Sequence, residues 1–172
     1  MTHRGFRPAT VAVSAAVVAV LMLAAITPVS ASVPPPPGGS NCRTLWFHPA
    51  GDTNIIDWIT TCLNPEPSSG PHEMIAEAEY GGQPSGKWQS CSITLQIYDM
   101  SAGGRKLGGA RSKDCLSVYK TGVPSTDKIG LPPILGQSGH VYMARAGLEC
   151  SYGGRSGQQC EEIGISPNLT IP

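Results

Sequence analysis

Six cysteines constrain what this chain can fold into more than any other feature. They form three consecutive pairs, each of which flanks a turn-forming segment: Cys42 with Cys62, Cys91 with Cys115, and Cys150 with Cys160. The midpoints of the pairs are residues 52, 103 and 155, and each midpoint lies among glycines or other turn-forming residues. A chain that folds back at each midpoint places the two cysteines of a pair opposite each other on antiparallel strands, within disulfide reach.

This spacing favours structural disulfides over metal or redox chemistry. Six cysteines allow 15 connectivities, and the position of the turns favours the consecutive one. Zinc sites and thiol redox sites usually show two cysteines as C-x-x-C, a motif that the sequence lacks. We therefore predict no metal and no cofactor. Each bridge should stabilise the fold by about 3 kcal/mol in the chain-entropy description.

The first 31 residues have the layout of a secretory signal peptide. Arg4 and Arg7 precede an apolar run over 9–26, Pro28 breaks the run, and small residues lead to Ala31. An uncleaved membrane anchor is the alternative, because the run approaches spanning length. The layout predicts a secreted, extracellular protein with no stable membrane span after cleavage.

Removal of the signal peptide leaves a slightly acidic chain. Loss of Arg4 and Arg7 changes the net charge from 12 − 12 = 0 to 10 − 12 = −2. Such a chain has no overall field that attracts nucleic acid or an anionic membrane. Residues 32–40 are a proline- and glycine-rich linker, and residues 41–172 have the size of one domain, which we expect to be a monomer.

The longer segments between the turns alternate apolar and polar residues, which predicts strands with one buried face. One face of residues 90–98 carries Cys91, Ile93, Leu95 and Ile97, and one face of residues 142–150 carries Tyr142, Ala144, Ala146, Leu148 and Cys150.

Shorter segments extend the β pattern. Leu116 with Val118, and Ile163 with Ile165, repeat the alternation, and residues 74–80 and 166–171 are predicted as further strands. Residues 44–47 and 55–61 form a hairpin. No segment after the signal peptide has a persuasive helical period, so we predict an all-β fold of seven to nine short strands.

Three segments near the end of the chain resemble an immunoglobulin-like or fibronectin-III-like sandwich: residues 139–148 (GHVYMARAGL), residues 152–154 (YGG) and residues 166–171 (SPNLTI). The cysteine-flanked strand that includes Leu95 and Tyr98 is also similar to small secreted actinobacterial proteins of unassigned function. The resemblance covers residues 72–172 and implies a disulfide-stapled, immunoglobulin-like antiparallel β-sandwich, to which residues 41–63 add an N-terminal hairpin. The cysteine spacing differs from that of antibody domains, so the resemblance implies no antibody-type bridge.

A search for catalytic motifs is negative. His48, His72 and His140 stand outside any nucleophile motif, and the sequence has no G-x-S-x-G or H-E-x-x-H. A site of paired carboxylates cannot be recognised from spacing. We therefore predict no catalytic residues and no enzymatic activity.

Charge is distributed unevenly along the chain. Residues 52–80 hold six acids and no lysine or arginine, whereas residues 105–120 hold five bases and one acid. One interpretation is a set of solvated hairpin faces that contact each other within the fold. The other is a basic patch of Arg105, Lys106, Arg111 and Lys113 that binds an anionic wall polymer, membrane head group or acidic protein.

Tryptophans supply a second candidate surface. Trp46 and Trp58 are candidate binding residues, because exposed tryptophans often mark sites for sugars or protein partners. The alternative is that at least two of the aromatic residues Trp46, Phe47, Trp58 and Trp88 belong to the core.

These observations favour a secreted, non-catalytic binding or interaction module whose partner is an extracellular protein or a cell-wall polymer. A proteinaceous inhibitor of secreted hydrolases is the first alternative, because a rigid disulfide-anchored loop suits that role. A small secreted hydrolase is the second alternative, and a cleft lined by two carboxylates or by a histidine–acid pair would favour it.

Overall fold

A computed structural model describes residues 40–172, apart from positions 67, 69, 84, 121–122 and 154–156. Over these residues the chain is an all-β, disulfide-stapled antiparallel sandwich, which confirms the predicted fold class. The predicted signal peptide (1–31) and nearly all of the predicted linker (32–40) lie outside the described residues. Within the described part of the chain, no helix is long and apolar enough to cross a membrane.

Ten strands and one short helix form the regular structure of the described residues, together with a 3-10 turn at Pro49–Gly51. The strands are β1 (Cys42–Phe47), β2 (Asp57–Pro65), β3 (Glu73–Gly82), β4 (Trp88–Asp99), β5 (Arg105–Asp114), β6 (Thr126–Gly130), β7 (Ile134–Leu135), β8 (Val141–Tyr152), β9 (Gln158–Ile165) and β10 (Leu169–Thr170); the helix α1 (Leu116–Lys120) lies between β5 and β6.

The strands form two antiparallel sheets. Sheet A has the order β1-β2-β3-β6, with β7 also paired to β3, and sheet B has the order β10-β8-β4-β5, with β9 also paired to β8. The N-terminal hairpin, predicted over 41–63 beside a sandwich over 72–172, extends sheet A, because β2 pairs with β3 along its whole length. Residues 41–172 therefore share one sandwich.

The core lies between the inner faces of the two sheets. The predicted inner faces of β4 and β8 are buried as expected, and in β3 the alternate residues Met74, Ala76, Ala78 and Tyr80 are fully buried opposite them. These side chains form one continuous apolar cluster with residues of β2. Burial of the apolar surface of this cluster is the main stabilising contribution to such a fold.

The three disulfides connect the predicted consecutive pairs, with Cα–Cα distances of 4.1 Å for Cys42–Cys62 and 5.0 Å for both Cys91–Cys115 and Cys150–Cys160. Two pairs are directly opposed in register, on β1 with β2 and on β8 with β9. The third joins β4 to the residue that follows β5. The argument from turn midpoints is confirmed, although residues 154–156 at the third midpoint lie outside the described residues.

The strand expected after Cys115 is wrong, because residues 116–120 form α1. The Asp114 carboxylate accepts the Leu116 N–H at 3.0 Å, which begins the turn. Val118 and Tyr119 are buried together with Cys115, a spacing of three and four residues that fits a helix. One helical turn is too short to be distinguished from a strand by its period alone.

The prediction that Ile163 and Ile165 lie on the buried face of β9 is also wrong. Register with β8 directs Glu162 and Gly164 inward and leaves Ile163 37% exposed. A side chain at position 164 has no room, because an added Cβ would lie 2.7 Å from Thr61 Oγ1 and 3.1 Å from Ile59 Cγ2 of sheet A. The predicted strand at 166–171 is confirmed only over Leu169–Thr170.

This close approach gives a stability prediction. Gly164→Val should lower the free energy of unfolding by about 1–3 kcal/mol, because it overpacks the space between the sheets. Gly147→Val is the matched control: Gly147 pairs with the neighbouring residue Ile163, and an added Cβ there meets nothing within 4 Å. Urea unfolding of both variants measures the difference, and equal stabilities would contradict the packing argument.

Candidate functional site

A cleft of about 620 Å³ opens at one end of the sandwich, where the 3-10 turn after β1 meets the start of β4 and the end of β8. We call it the loop-end cleft. Half of its lining residues are glycine or alanine. It is lined by Ala50, Gly51, Asp52, Gly86, Lys87, Tyr152, Gly153 and Gln158.

Asp52 connects the three segments that meet at this cleft. One carboxylate oxygen, Oδ2, accepts hydrogen bonds from the Lys87 ammonium at 2.6 Å and the Tyr152 hydroxyl at 2.8 Å. The other, Oδ1, accepts the backbone N–H and the side-chain amide of Asn54, both at 3.2 Å. The Asp52 side chain is 12% exposed and that of Lys87 is 58% exposed, so the carboxylate is largely enclosed while the ammonium faces the cleft.

The electrostatics of this group favour fixed charges. The hydrogen bonds from Lys87 and then Tyr152 hold the pKa of the Asp52 carboxyl well below its usual range. The hydrogen bond to Asp52 raises the pKa of Lys87. Burial raises the pKa of the Tyr152 hydroxyl, and Asp52 adds to that effect. At neutral pH the cleft therefore holds a carboxylate, an ammonium and a neutral phenol.

Stacked aromatic rings support the floor of the cleft. The Trp88 ring stacks on Tyr119 with centroids 4.3 Å apart and meets the Tyr152 ring edge-on at 5.6 Å. The Lys87 ammonium lies 5.9 Å above the Tyr152 ring, within the range of a cation–π contact. These contacts leave Tyr152 little rotational freedom, so its hydroxyl stays directed at Asp52.

Asp57 is a buried acid close to this aromatic group. Burial raises its pKa from 3.8 to about 8, and the hydrogen bond from the Gln83 N–H at 3.0 Å opposes the shift. Five buried side-chain polar atoms of the described residues have no hydrogen-bond partner; three of them are Asp57 Oδ2, Tyr119 OH and Trp88 Nε1, and the other two lie on Thr61 and Glu73. An uncharged Asp57 is consistent with this environment, since a buried unpaired carboxylate is strongly unfavourable.

The four predicted basic residues lie on or beside the edge of sheet B and do not converge on the cleft. Arg111 donates to the Gly130 carbonyl at 2.9 Å, and the Lys113 ammonium lies 2.7 Å from the Asp127 carboxylate, so both connect β5 to β6 of the other sheet. Arg105 lies 3.8 Å from Asp99. Lys106 lines a separate polar depression on the outer face of sheet B.

Edge position offers a structural reason for these charges. β5 is an edge strand of sheet B, its register against β4 shifts between Leu95 and Ile97, and nearly all of it is exposed. Exposed cations and a bulge are both devices that prevent unwanted pairing at a sheet edge. The contacts of Arg111 and Lys113 with β6 therefore support the interpretation of hairpin faces that contact each other within the fold.

The tryptophans differ in exposure. Trp46 is 51% exposed on β1, whereas its cross-strand neighbour Trp58 is fully buried and Trp88 is 1% exposed. The expectation that at least two of the aromatic residues are buried is confirmed. Trp46 is the exposed member of the predicted tryptophan pair.

A histidine–acid pair exists at the other end of the sandwich. His140 Nδ1 lies 3.0 Å from Asp99 Oδ2, and Asp99 also accepts the Ala102 N–H at 3.1 Å. Burial raises the pKa of Asp99, but the hydrogen bonds from His140 and Ala102 together with Arg105 outweigh burial and lower it. No hydroxyl of the described residues is hydrogen-bonded to the His140 ring, and the pair serves the turn between β4 and β5.

The residues of the loop-end cleft were not predicted from the sequence, although one signal was present. The turns of two predicted disulfide hairpins, near residues 52 and 155, belong to the first and last parts of the chain. The described residues that flank these turns, Asp52 on one side and Gly153 with Gln158 on the other, line the cleft beside Lys87. That arrangement depends on how the two sheets pack, which no local pattern shows.

Comparisons with known proteins add little. No protein-family model matches the chain, and no curated protein matches its sequence. A solved structure of a Bordetella pertussis protein, provisionally named ApaA, is similar at 13% identity and a TM-score of 0.40, over 67% of this chain and 95% of that chain. The resemblance to immunoglobulin-like sandwiches stays a prediction.

Asp57 gives a pH-dependent prediction. With a pKa of about 8 in the folded protein and 3.8 as its ordinary value, Asp57 takes up a proton on folding between these pH values. The free energy of unfolding should therefore fall as pH rises through this window, by up to about 1.4 kcal/mol per pH unit. Asp57→Asn removes this loss, so its melting temperature should exceed that of the wild type by a margin that grows from pH 4 to pH 8.

Asp52→Asn is the control with the opposite sign. A lowered pKa stabilises the fold above the unfolded value and the effect disappears as pH falls. This variant should be less stable than the wild type at pH 7, and the difference should shrink only as pH falls below 3.8 toward the strongly lowered pKa of the folded state. Thermal unfolding across pH measures both variants, and a difference for Asp57→Asn that does not change with pH would contradict burial of an uncharged Asp57.

Proposed function

We propose that this protein is a secreted, non-catalytic binding module whose ligand enters the loop-end cleft. The single observation behind the proposal is the fixed ion pair of Lys87 and Asp52, anchored by Tyr152 at the floor of an open cleft. Concave sites with few, well-placed polar groups are the usual form of binding sites in proteins.

The polar groups are arranged to present donors to a ligand. The Asp52 carboxylate accepts four hydrogen bonds from its own chain, so it positions Lys87 and has little capacity left for a ligand. The Lys87 ammonium uses one of its three donors on Asp52 and presents the others to the cleft. Gly51, Gly86 and Gly153 leave the walls open to close approach.

The direction of the pKa shifts favours binding over acid–base catalysis. A general acid or base works best when its pKa lies near the operating pH, whereas the shifts of Asp52, Lys87 and Tyr152 all move away from neutrality. All six cysteines are in disulfides, so no thiol nucleophile is present. The described residues contain no cluster of His, Cys, Asp or Glu with metal-site geometry.

Secretion is part of the proposal. Three disulfides fit an oxidising compartment, and the signal-peptide layout of residues 1–31 leads to the same location. The partner would then be a cell-wall polymer or an extracellular protein. The loop that would favour a hydrolase inhibitor includes residues 154–156, which lie outside the described residues.

A cleft-blocking variant tests the proposal. Gly86→Trp places a large side chain in the cleft, and an added Cβ at Gly86 meets nothing within 4 Å, so the fold should tolerate it. Binding of the exported protein to purified Gram-positive cell walls and to immobilised secreted proteins should fall at least tenfold. Sedimentation and surface plasmon resonance measure the two partner classes.

Gly109→Trp on β5 is the matched control, since an added Cβ there also meets nothing within 4 Å, and it should bind within twofold of the wild type. Combined replacement of Arg105, Lys106, Arg111 and Lys113 by Ser tests the predicted basic patch. Loss of binding in that variant, at a salt concentration where Gly86→Trp still binds, would place the site on β5 and reject the cleft. Absence of binding to either class would reject the function.

A further inference from the structure

Four of the six cysteines lie side by side across sheet B. Cys91 on β4 is directly opposite Cys150 on β8, and Cys150 is directly opposite Cys160 on β9. Cys115, which follows β5, is bonded to Cys91 and donates its N–H to the Cys91 carbonyl at 3.2 Å. The sequence across the sheet is Cys115, Cys91, Cys150, Cys160, which we call the cysteine row.

The two inner members of the row can form a disulfide with each other. Directly opposed residues of antiparallel strands have Cα atoms about 4.5–5.5 Å apart, and a disulfide accepts about 4.4–6.8 Å. Cys91 and Cys150 are both buried in the core, with exposures of 4% and 3%, so their side chains lie on the same face of the sheet. A Cys91–Cys150 bond therefore needs no change in strand pairing.

We propose that the cysteine row is a thiol-exchange site, in which reduction at Cys160 moves a disulfide inward to Cys91–Cys150 and frees the two outer cysteines. The Cys42–Cys62 bridge lacks this option, because Cys62 faces Glu77 on its other side. That bridge serves as an internal comparison.

The exchange balances with two equivalents of an external thiol. A thiolate attacks Sγ of Cys160, forms a mixed disulfide there and releases Cys150 as a thiolate. The Cys150 thiolate attacks Sγ of Cys91, which forms the Cys91–Cys150 bond, breaks the Cys91–Cys115 bond and releases Cys115, which takes a proton from solvent. A second thiol then attacks the mixed disulfide at Cys160, frees the Cys160 thiol and leaves as a disulfide with the first thiol. The overall reaction transfers two electrons to the protein and leaves it with two disulfides in place of three.

Accessibility defines where the reaction begins. Cys115 is fully buried and Cys91 and Cys150 nearly so, whereas Cys160 is only partly buried. A depression of about 230 Å³ beside the row is lined by Asp114 and Glu149 together with Cys91 and Cys150. The two carboxylates disfavour anionic thiols and raise the energy of a thiolate near them, so a cationic thiol such as cysteamine is the suitable probe.

The exchange would release two segments that border the loop-end cleft; this consequence rests on the proposed function. Cys160 holds the first residues of β9, and Gln158 of that strand lines the cleft. Cys115 holds α1, where the Tyr119 carbonyl accepts the Ser85 N–H at 2.8 Å directly before the cleft residue Gly86. Reduction would thus loosen two walls of the cleft while the core of sheet B stays covalently linked.

Paired substitutions test the inner bond. The variant Cys115→Ser/Cys160→Ser should fold with a Cys91–Cys150 disulfide, and its backbone amides over residues 158–160 should exchange with solvent at least tenfold faster than those of the wild type. Its control is Cys91→Ser/Cys150→Ser, which keeps the outer cysteines about 14 Å apart across three strand spacings, beyond disulfide reach, so both should remain free thiols. Peptide mapping after alkylation identifies the bonds, and hydrogen-exchange mass spectrometry measures the amides.

If the variants fail to fold, partial reduction of the wild-type protein is the decisive experiment. After limited treatment with cysteamine, acid quenching and alkylation, the main two-disulfide species should carry Cys42–Cys62 and Cys91–Cys150, with Cys115 and Cys160 alkylated. A species that keeps Cys91–Cys115 and has alkylated Cys150 and Cys160, or one that loses Cys42–Cys62 first, would overturn the proposal. Disulfide mapping is independent of ligand binding, so the exchange and the cleft can fail separately.

Discussion

The antiparallel pairing of β4 with β8 is the constraint on which the rest of the structure depends. It runs from Trp88–Tyr152 at one end to Asp99–Tyr142 at the other, through the centre of sheet B. Because successive side chains of a strand alternate between faces, a shift of one residue would turn the apolar faces of both strands toward solvent. The same shift would separate Cys91 from Cys150 and remove Tyr152 from the floor of the cleft.

Much of this framework can be predicted from the sequence, because local patterns of alternation and turn-forming residues specify it. The alternation in residues 90–98 and 142–150 predicted the two inner faces, and the turns between paired cysteines predicted the disulfides. The predictions that were wrong concern features that local patterns do not specify. Gly164 faces inward because of the register of β9 with β8, and it has no room for a side chain because β2 of the other sheet lies close to it. Residues 116–120 form a helix because the bond to Cys91 and the Asp114 carboxylate end the strand. Contacts between distant segments decide both, as they decide the cleft.

The charged residues show that composition alone does not assign a role. Five bases within residues 105–120 allowed two interpretations, hairpin faces that contact each other within the fold or a patch for an anionic ligand. Lys113 and Arg111 connect the edges of the two sheets, and exposed charge on β5 discourages pairing with other chains. Among the described residues that line the cleft, by contrast, Lys87 is the one cation, and its charge is balanced by Asp52. A balanced pair contributes directional hydrogen bonds with little long-range attraction, so recognition there would depend on shape and donor geometry more than on net charge.

The cleft end of the sandwich also contains groups that a fold optimised only for stability would avoid. Asp57 is fully buried with one unpaired oxygen, and the Tyr119 hydroxyl and Trp88 Nε1 are likewise unpaired among the described residues. Buried polar groups without partners are unfavourable by about 1–3 kcal/mol each. Local violations of packing rules concentrate at functional sites in natural proteins. Two disulfides, Cys91–Cys115 and Cys150–Cys160, anchor α1 and β9 on either side of this region. They offset part of the penalty by restricting the unfolded chain, so the end of the molecule that holds these three unpaired groups is also the end where loss of either bridge would release a neighbouring segment.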